Sequence, residues 1–140
     1  MSVRLWLGHG ASGNAASMRP FVDGLVKRGW EASAVDLPKR KAEDAVPAWR
    51  SIVPHGPGTA VGGHSYGGRV AHWPRITCPV LLLSGESDPF ARIELLRAAV
   101  PLLADAELVT YPRLGHTLKP VLDDALDRVA AFLRDVSARP

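Results

Sequence analysis

Residues 61–70 read VGGHSYGGRV, so the pattern Gly-x-Ser-x-Gly directly follows a short apolar run. The pattern predicts a strand that turns abruptly into a helix, with Ser65 on a strained backbone and its hydroxyl exposed above a sheet. Gly63 and Gly67 keep this turn free of β-carbons that would collide, and the N–H groups at the start of the helix can stabilise a negative oxygen. The stretch favours acyl-transfer chemistry at Ser65. The structural alternative is a glycine-rich turn whose serine only caps a helix.

Strand-like apolar runs alternate with helix-like patterns along the rest of the chain. Short apolar runs bounded by turn residues predict five strands, at residues 3–7, 30–37, 59–63, 79–84 and 107–111. Apolar residues at helical spacing predict helices at residues 18–28, 43–53, 66–72, 89–100 and 120–136. This alternation predicts an α/β fold: a three-layer sandwich with a mainly parallel sheet of about five strands in the order 2-1-3-4-5. We expect a single domain over residues 1–140.

The composition is that of an ordinary globular protein, because 46% hydrophobic and 22% charged residues argue against disorder. The 17 basic residues are scattered, so no nucleic-acid partner is expected. Arg4 interrupts the first apolar stretch, which argues against a secretory signal, and no apolar run approaches the ~20 residues that span a bilayer. The single cysteine, Cys78, is expected to pack as a small hydrophobe. We therefore expect a cytoplasmic protein without a membrane partner.

Three polar side chains follow predicted strands at their carboxyl ends: Ser65, Asp88 and His116. Parallel sheets bind ligands at these ends, and the chain order serine, acid, histidine is that of the α/β-hydrolases. The chain resembles the α/β-hydrolase family, in its small dienelactone-hydrolase-like branch, over nearly its whole length. Four motifs carry the resemblance, namely an oxyanion loop, a nucleophile elbow, an acid loop and a histidine loop, at His9–Gly13, Gly63–Gly67, Ser84–Asp88 and Leu114–His116.

The resemblance implies a serine hydrolase that cleaves small ester or thioester substrates through an acyl-enzyme. Ser65 would be the nucleophile, His116 the general base, and Asp88 the carboxylate that orients the imidazole. The backbone N–H groups of Ala11 and Tyr66 would form the oxyanion hole. No cofactor and no metal are implied, since none of the histidines lies in a metal-ligand pattern.

Several residues of this site have competing interpretations. Asp88 precedes a proline and could be only a helix N-cap, and Glu86 in the same loop is then a possible substitute acid. His116 could be a loop histidine that is hydrogen-bonded to backbone. His9 and His64 border the site and are expected to pack or support it rather than carry protons.

The first glycine loop also matches a different class of ligand site. Gly8-x-Gly10-x-x-Gly13 follows a strand and precedes a helix, as in the dinucleotide-binding fingerprint, and Asp36 ends the next predicted strand, where a ribose-binding carboxylate is expected. A dinucleotide-binding domain would leave the elbow, the acid loop and the histidine loop unexplained. Pro20 also delays the helix beyond the point where its N-terminus would meet a pyrophosphate.

The chain departs from the family between the elbow and the fourth strand. Only residues 66–78 separate Ser65 from that strand, whereas the family normally has a long helix, another strand and often a lid there. The sheet is therefore expected to be a reduced version, and a degenerate scaffold that binds a partner is the non-enzymatic alternative. Sheet surface uncovered by the deletion would favour a homodimer.

Overall fold

The structure is a computed structural model that describes residues 3–38, 41–54, 56–65, 67–68, 70 and 78–140. The chain divides into two compact units, residues 1–75 and 76–140. Each unit is built around its own set of parallel strands and is described by itself below.

The first unit contains three parallel strands. Strand β1 (Arg4–Gly8) lies between β2 (Glu31–Val35) and β3 (Thr59–Gly63) and pairs with both. The register places Gly8 beside Val35 on one side and beside Gly63 on the other. Because all three strands run the same way, the loops that follow β1 and β3 leave the sheet side by side.

Helices and alternating side chains bury both faces of this sheet. Helix α1 (Arg19–Lys27) contacts β2, and helix α2 (Ala42–Ile52) supplies Trp49 to a buried cluster against which Trp6 of β1 packs. Leu5 and Leu7, on either side of Trp6, point to the opposite face and are buried as well. A parallel sheet covered on both faces is the arrangement expected of a layered α/β fold.

The second unit pairs two parallel strands. Strand β4 (Val80–Gly85) lies beside β5 (Ala106–Tyr111), with helix α3 (Ile93–Ala99) between them in the chain. Helix α4 (Leu122–Ser137) contacts β4 and supplies a buried stripe at helical spacing, made of Ala125, Leu126, Ala130 and Leu133. The acid loop follows β4 and the histidine loop follows β5, so both leave the same edge of this pair.

The α/β fold class is confirmed, and each predicted strand is present with its ends shifted by two residues at most. The strands pair in the orders β2-β1-β3 and β4-β5, which agrees with the predicted neighbours within each unit. The predicted helix over residues 66–72 lies largely outside the described residues. Within the described part of the chain, no helix is long and apolar enough to cross a membrane.

Three local expectations were wrong. The helix after the acid loop begins at Ile93 rather than at Pro89, because the Asp88 carboxylate holds the intervening backbone in a turn. The helical region predicted from residue 18 begins earlier, with a turn at Ala15–Met18, because Asn14 and Ser17 form a capping box there. Cys78 is exposed, because it lies two residues before β4 begins and so outside the packed part of the strand.

Candidate active site

Ser65 occupies a strained turn at the end of β3. Its φ is +53°, a left-handed conformation that non-glycine residues adopt rarely and mostly where the surrounding structure enforces it. The Gly67 N–H donates to the His64 carbonyl at 3.0 Å, and the His64 N–H donates to the Gly8 carbonyl at 3.1 Å. These bonds close the turn around Ser65, and Ser65 itself is exposed to solvent. This is the backbone geometry that the Gly-x-Ser-x-Gly pattern predicts.

The glycines around Ser65 are required by close backbone approach. A β-carbon on Gly67 would overlap the carbonyl group of Gly8, and one on Gly63 would overlap the backbone of Gly67. The elbow therefore crosses directly over the end of β1. Only residues without side chains allow the turn to pass this close to the neighbouring strand.

The predicted oxyanion residue Ala11 lies in a tight turn after β1. The Gly13 N–H donates to the Gly10 carbonyl at 3.0 Å, which closes the turn with Ala11 exposed at its tip. The ring of His64 lies against Gly10, since a β-carbon there would be 3.2 Å from His64 Nδ1. The elbow and this loop are thus neighbours within the first unit. The second predicted donor, Tyr66, lies outside the described residues.

His9 supports this loop from beneath. It is 1% exposed, its Nε2 accepts the Leu37 N–H at 2.9 Å, and its Nδ1 lies 2.7 Å from the Gly10 carbonyl oxygen. A ring nitrogen that accepts a backbone N–H carries no proton, so Nδ1 is the protonated nitrogen and donates to Gly10. The buried imidazole therefore ties the oxyanion loop to the chain that follows β2, which agrees with the supporting role expected for it.

Two backbone N–H groups at the start of the first helical region, where a dinucleotide would place its phosphates, already donate to side chains of the protein. The Ala15 N–H donates to Asp36 Oδ1 at 2.7 Å, and the Ser17 N–H donates to the Asn14 side chain at 3.1 Å. Asp36 thus places a negative charge where a pyrophosphate would have to bind. These two N–H groups are therefore not available to a pyrophosphate, which argues against the dinucleotide-binding alternative.

The structure brings Asp88 and His116 together in the second unit. His116 Nδ1 lies 2.8 Å from Asp88 Oδ2, and the other carboxylate oxygen accepts the backbone N–H groups of Phe90 and Ala91 at 2.8 and 3.1 Å. The Asp88 side chain is only 6% exposed and that of His116 is 31% exposed. Asp88 therefore both organises the turn that follows it and holds the imidazole, each with a different oxygen.

Hydrogen bonding keeps the Asp88 carboxyl ionised. Burial raises its pKa, but the hydrogen bond with His116, the two backbone N–H groups and the charge of His116 outweigh burial, so the pKa lies below its ordinary value of 3.8. An ionised carboxylate only accepts, so His116 Nδ1 carries the proton of the shared bond. In the neutral imidazole, Nε2 is then the acceptor nitrogen of the ring, as a general base requires.

Backbone contacts between the acid loop and the histidine loop set this pair in place. A β-carbon on Gly85 would overlap the carbonyl oxygens of Leu114 and Gly115, and the Ser87 N–H donates to the Leu114 carbonyl at 2.9 Å. Arg113 turns the chain at a φ of +59° just before Leu114. Close docking of the two loops is what carries His116 to Asp88.

A side-chain hydrogen bond joins the two elements on either side of the histidine loop, β5 and α4. The Tyr111 hydroxyl donates to Asp124 Oδ2 at 2.8 Å, joining the last residue of β5 to the first turn of α4. Arg128 Nε donates to the same oxygen at 3.0 Å. Burial and the neighbouring Asp124 carboxylate raise the pKa of Tyr111 to about 12, so its hydroxyl keeps its proton and continues to donate.

Glu86, the alternative acid, is engaged elsewhere. Its Oε1 accepts the Thr110 hydroxyl at 2.9 Å and lies 3.6 Å from Arg97 Nη2. Glu86 and Asp88 are two residues apart, and it is Asp88 that reaches the imidazole. Asp88 can be both a capping residue and the acid, because it uses a different carboxylate oxygen for each. The element that it caps is a turn and not a helix.

Comparison with known proteins identifies the family. The sequence profile of a family described as TAP-like protein, an α/β-hydrolase family, matches residues 67–138, just over half of the chain. The chain belongs to this family. The match to the TAP-like family includes Asp88 and His116 and begins two residues after Ser65. No curated protein sequence matches the chain significantly.

Solved structures of other α/β-hydrolases have the same fold as this TAP-like chain. The esterase PE8 is 19% identical with a TM-score of 0.79, over 96% of this chain and 93% of its own. A predicted CIB-like hydrolase from Thermoplasma acidophilum is 15% identical with a TM-score of 0.76, over 95% and 86%. Est1E from Butyrivibrio proteoclasticus, solved with bound ferulic acid, is 14% identical with a TM-score of 0.77, over 98% and 90%. At these identities the likeness concerns the fold.

The predicted site residues of the TAP-like chain are divided between the two units: Ser65 and Ala11 in the first, Asp88 and His116 in the second. Sequence reasoning missed one contact of this site, in which the ring of Phe90 lies against His116 with centroids 4.9 Å apart. In the sequence, only its position two residues after Asp88 pointed to this contact. The turn formed by the Asp88 carboxylate was needed to show that the ring reaches His116. Among the described residues, no cluster of histidine, cysteine or acidic side chains could hold a metal ion.

Proposed function

We propose that this chain is a serine hydrolase that cleaves small ester or thioester substrates. The observation that carries the proposal is the buried Asp88 carboxylate on His116 Nδ1 at 2.8 Å, in a chain whose Ser65 has a left-handed φ of +53°. An oriented imidazole and a serine on a strained turn are the two parts from which a nucleophilic serine is activated. Membership in an α/β-hydrolase family and the fold of esterases support the same activity.

In the proposed reaction, Ser65 Oγ attacks the acyl carbon and transfers its proton to His116 Nε2. The bond between the acyl carbon and the leaving oxygen or sulfur then breaks, and Nε2 returns the proton to the leaving group. Water hydrolyses the acyl-enzyme by the same proton transfers and regenerates Ser65. Asp88 holds the tautomer in which Nδ1 is protonated and stabilises the positive charge that the imidazole acquires.

The proposed oxyanion hole consists of the backbone N–H groups of Ala11 and Tyr66. The exposed turn between Gly10 and Gly13 supports the first assignment, because it presents Ala11 beside the elbow in the first unit. Losing one such donor costs roughly 3 kcal/mol of transition-state stabilisation in comparable enzymes. The shape of the glycine loops therefore contributes to the reaction together with the catalytic side chains.

The test is intact-mass analysis after exposure to a fluorophosphonate, which forms a covalent bond only with an activated serine. The experiment compares wild type with Ser65→Ala and His116→Ala, all three shown to be folded by circular dichroism. We expect a single adduct on wild type and none on either variant. A folded wild type without an adduct would contradict the proposal and favour the scaffold that binds a partner without catalysis.

A further inference from the structure

An aromatic side chain lies exposed against the imidazole of the candidate site. Phe90 is 80% exposed, although phenylalanine side chains usually bury most of their surface. Its ring nevertheless has a defined partner, since it meets the ring of His116 in an edge-on arrangement with an interplanar angle of 66°. Edge-on packing at this distance is a favourable geometry for two aromatic rings. Phe90 therefore presents an apolar surface beside the proposed general base.

The backbone fixes the position of this ring. The Phe90 N–H donates to Asp88 Oδ1 at 2.8 Å, so the residue belongs to the same turn that orients the carboxylate. The Asp88 side chain thus positions both His116 and Phe90, one with each carboxylate oxygen. The ring and the imidazole are set relative to each other by one buried group rather than by a mobile loop.

We infer that Phe90 is a specificity-determining residue that contacts the leaving alcohol of the substrate and selects esters of apolar or aromatic alcohols. The inference rests on the proposed hydrolase function. In that reaction His116 returns its proton to the leaving oxygen, so the group carried by that oxygen passes the surface beside the imidazole. Phe90 offers that group no hydrogen-bond partner, only apolar area and an aromatic edge. An apolar alcohol that packs on the Phe90 ring removes its own apolar surface and that of the ring from water, which lowers the free energy of binding. A small alcohol buries little of either surface and gains little affinity.

The test compares esters that share one acyl group and differ only in the alcohol. Benzyl acetate and ethyl acetate form the same acetyl-enzyme, so the difference in their kcat/KM reports contacts with the alcohol. Phe90→Ala is expected to lower kcat/KM for benzyl acetate about tenfold, with little change for ethyl acetate. Phe90→Leu, which keeps an apolar side chain, should retain part of the preference. The matched control is Leu102→Ala, which removes another exposed apolar side chain of the same unit, 85% exposed, and should change neither rate.

The other outcomes separate this inference from the function on which it rests. Unchanged selectivity in Phe90→Ala would overturn the inference, and an equal loss on both esters would overturn it in favour of a residue that orients His116. Ethyl phenylacetate and ethyl acetate differ only in the acyl group. If Phe90→Ala changes the preference between these two esters instead, Phe90 contacts the acyl group, and the assignment to the alcohol is overturned. A folded wild type that takes up no fluorophosphonate would overturn the hydrolase function itself, and the selectivity of Phe90 with it.

Discussion

Two acidic side chains in one loop have different surroundings, and the difference is large enough to test at the level of single residues. Asp88 is buried and bonded to His116, whereas Glu86 is bonded to Thr110 and Arg97 at the surface. Asp88→Asn leaves the shape of the side chain but removes the charge that orients and stabilises the imidazole. We expect ester hydrolysis to fall on the order of 10³- to 10⁴-fold in Asp88→Asn. Glu86→Gln is the matched control and should keep nearly full activity; a comparable loss there would contradict the assignment of the acid.

The same carboxyl should make the stability of the protein depend on pH. Its pKa in the folded chain lies below the ordinary value of 3.8, so its stabilising contribution is complete above that value and is lost as pH falls through the folded pKa. Free energies of unfolding measured in urea between about pH 6 and about pH 2 should therefore fall more steeply for wild type than for Asp88→Asn. Parallel pH profiles for the two proteins would show that Asp88 is not stabilised in its ionised form.

At the scale of elements, the histidine loop depends on the end of β4 being a glycine. A β-carbon on Gly85 would overlap the carbonyl oxygens of Leu114 and Gly115, whereas one on Gly115 would meet nothing within 4 Å. Gly85→Ala is expected to lower the free energy of unfolding by about 1–3 kcal/mol, because the loop must shift away from the strand. Gly115→Ala, the control, should change it by less than about 0.5 kcal/mol. Thermal or urea unfolding measures both, and equal effects would contradict the close docking of the two loops.

At the scale of the whole molecule, the two compact units each have their own strands, while the sequence predicts one domain over residues 1–140. Residues 76–140 contain no tryptophan, whereas Trp6, Trp30 and Trp49 lie in the first unit, so tryptophan fluorescence does not report on the second unit. Single domains of this size normally unfold in one cooperative transition. We therefore expect urea unfolding followed by tryptophan fluorescence to coincide with unfolding followed by far-ultraviolet circular dichroism, which includes α4.

A core substitution in the second unit makes this test sharper. Leu126 is 1% exposed, and Leu126→Ala should lower the free energy of unfolding by about 2–5 kcal/mol. If the chain is one cooperative domain, the variant shifts the tryptophan curve and the dichroism curve equally. A shift confined to the dichroism curve would show that the units unfold independently and would contradict the prediction of a single domain.

Local sequence patterns predicted the elements and the elbow well, because their causes are local. The alternation of apolar runs and helical spacing predicted all five strands, and the glycines around Ser65 predicted a strained turn, which its φ of +53° bears out. Such features depend on backbone sterics and on side-chain period within a few residues. Even there, the start of α3 was misplaced, since the Asp88 carboxylate competes with the helix for the backbone N–H groups that follow it.

Contacts between distant segments were decided only by the tertiary structure. Sequence offered both Asp88 and Glu86 as acids, and the docking of the histidine loop on Gly85 selected Asp88 as the partner of His116. The edge-on contact of Phe90 with His116 and the bond from Leu37 to buried His9 likewise join residues 26 and 28 positions apart. Spacing along the chain carries no information on such pairs, because which loops meet is set by strand register and by the packing of the layers that cover the strands.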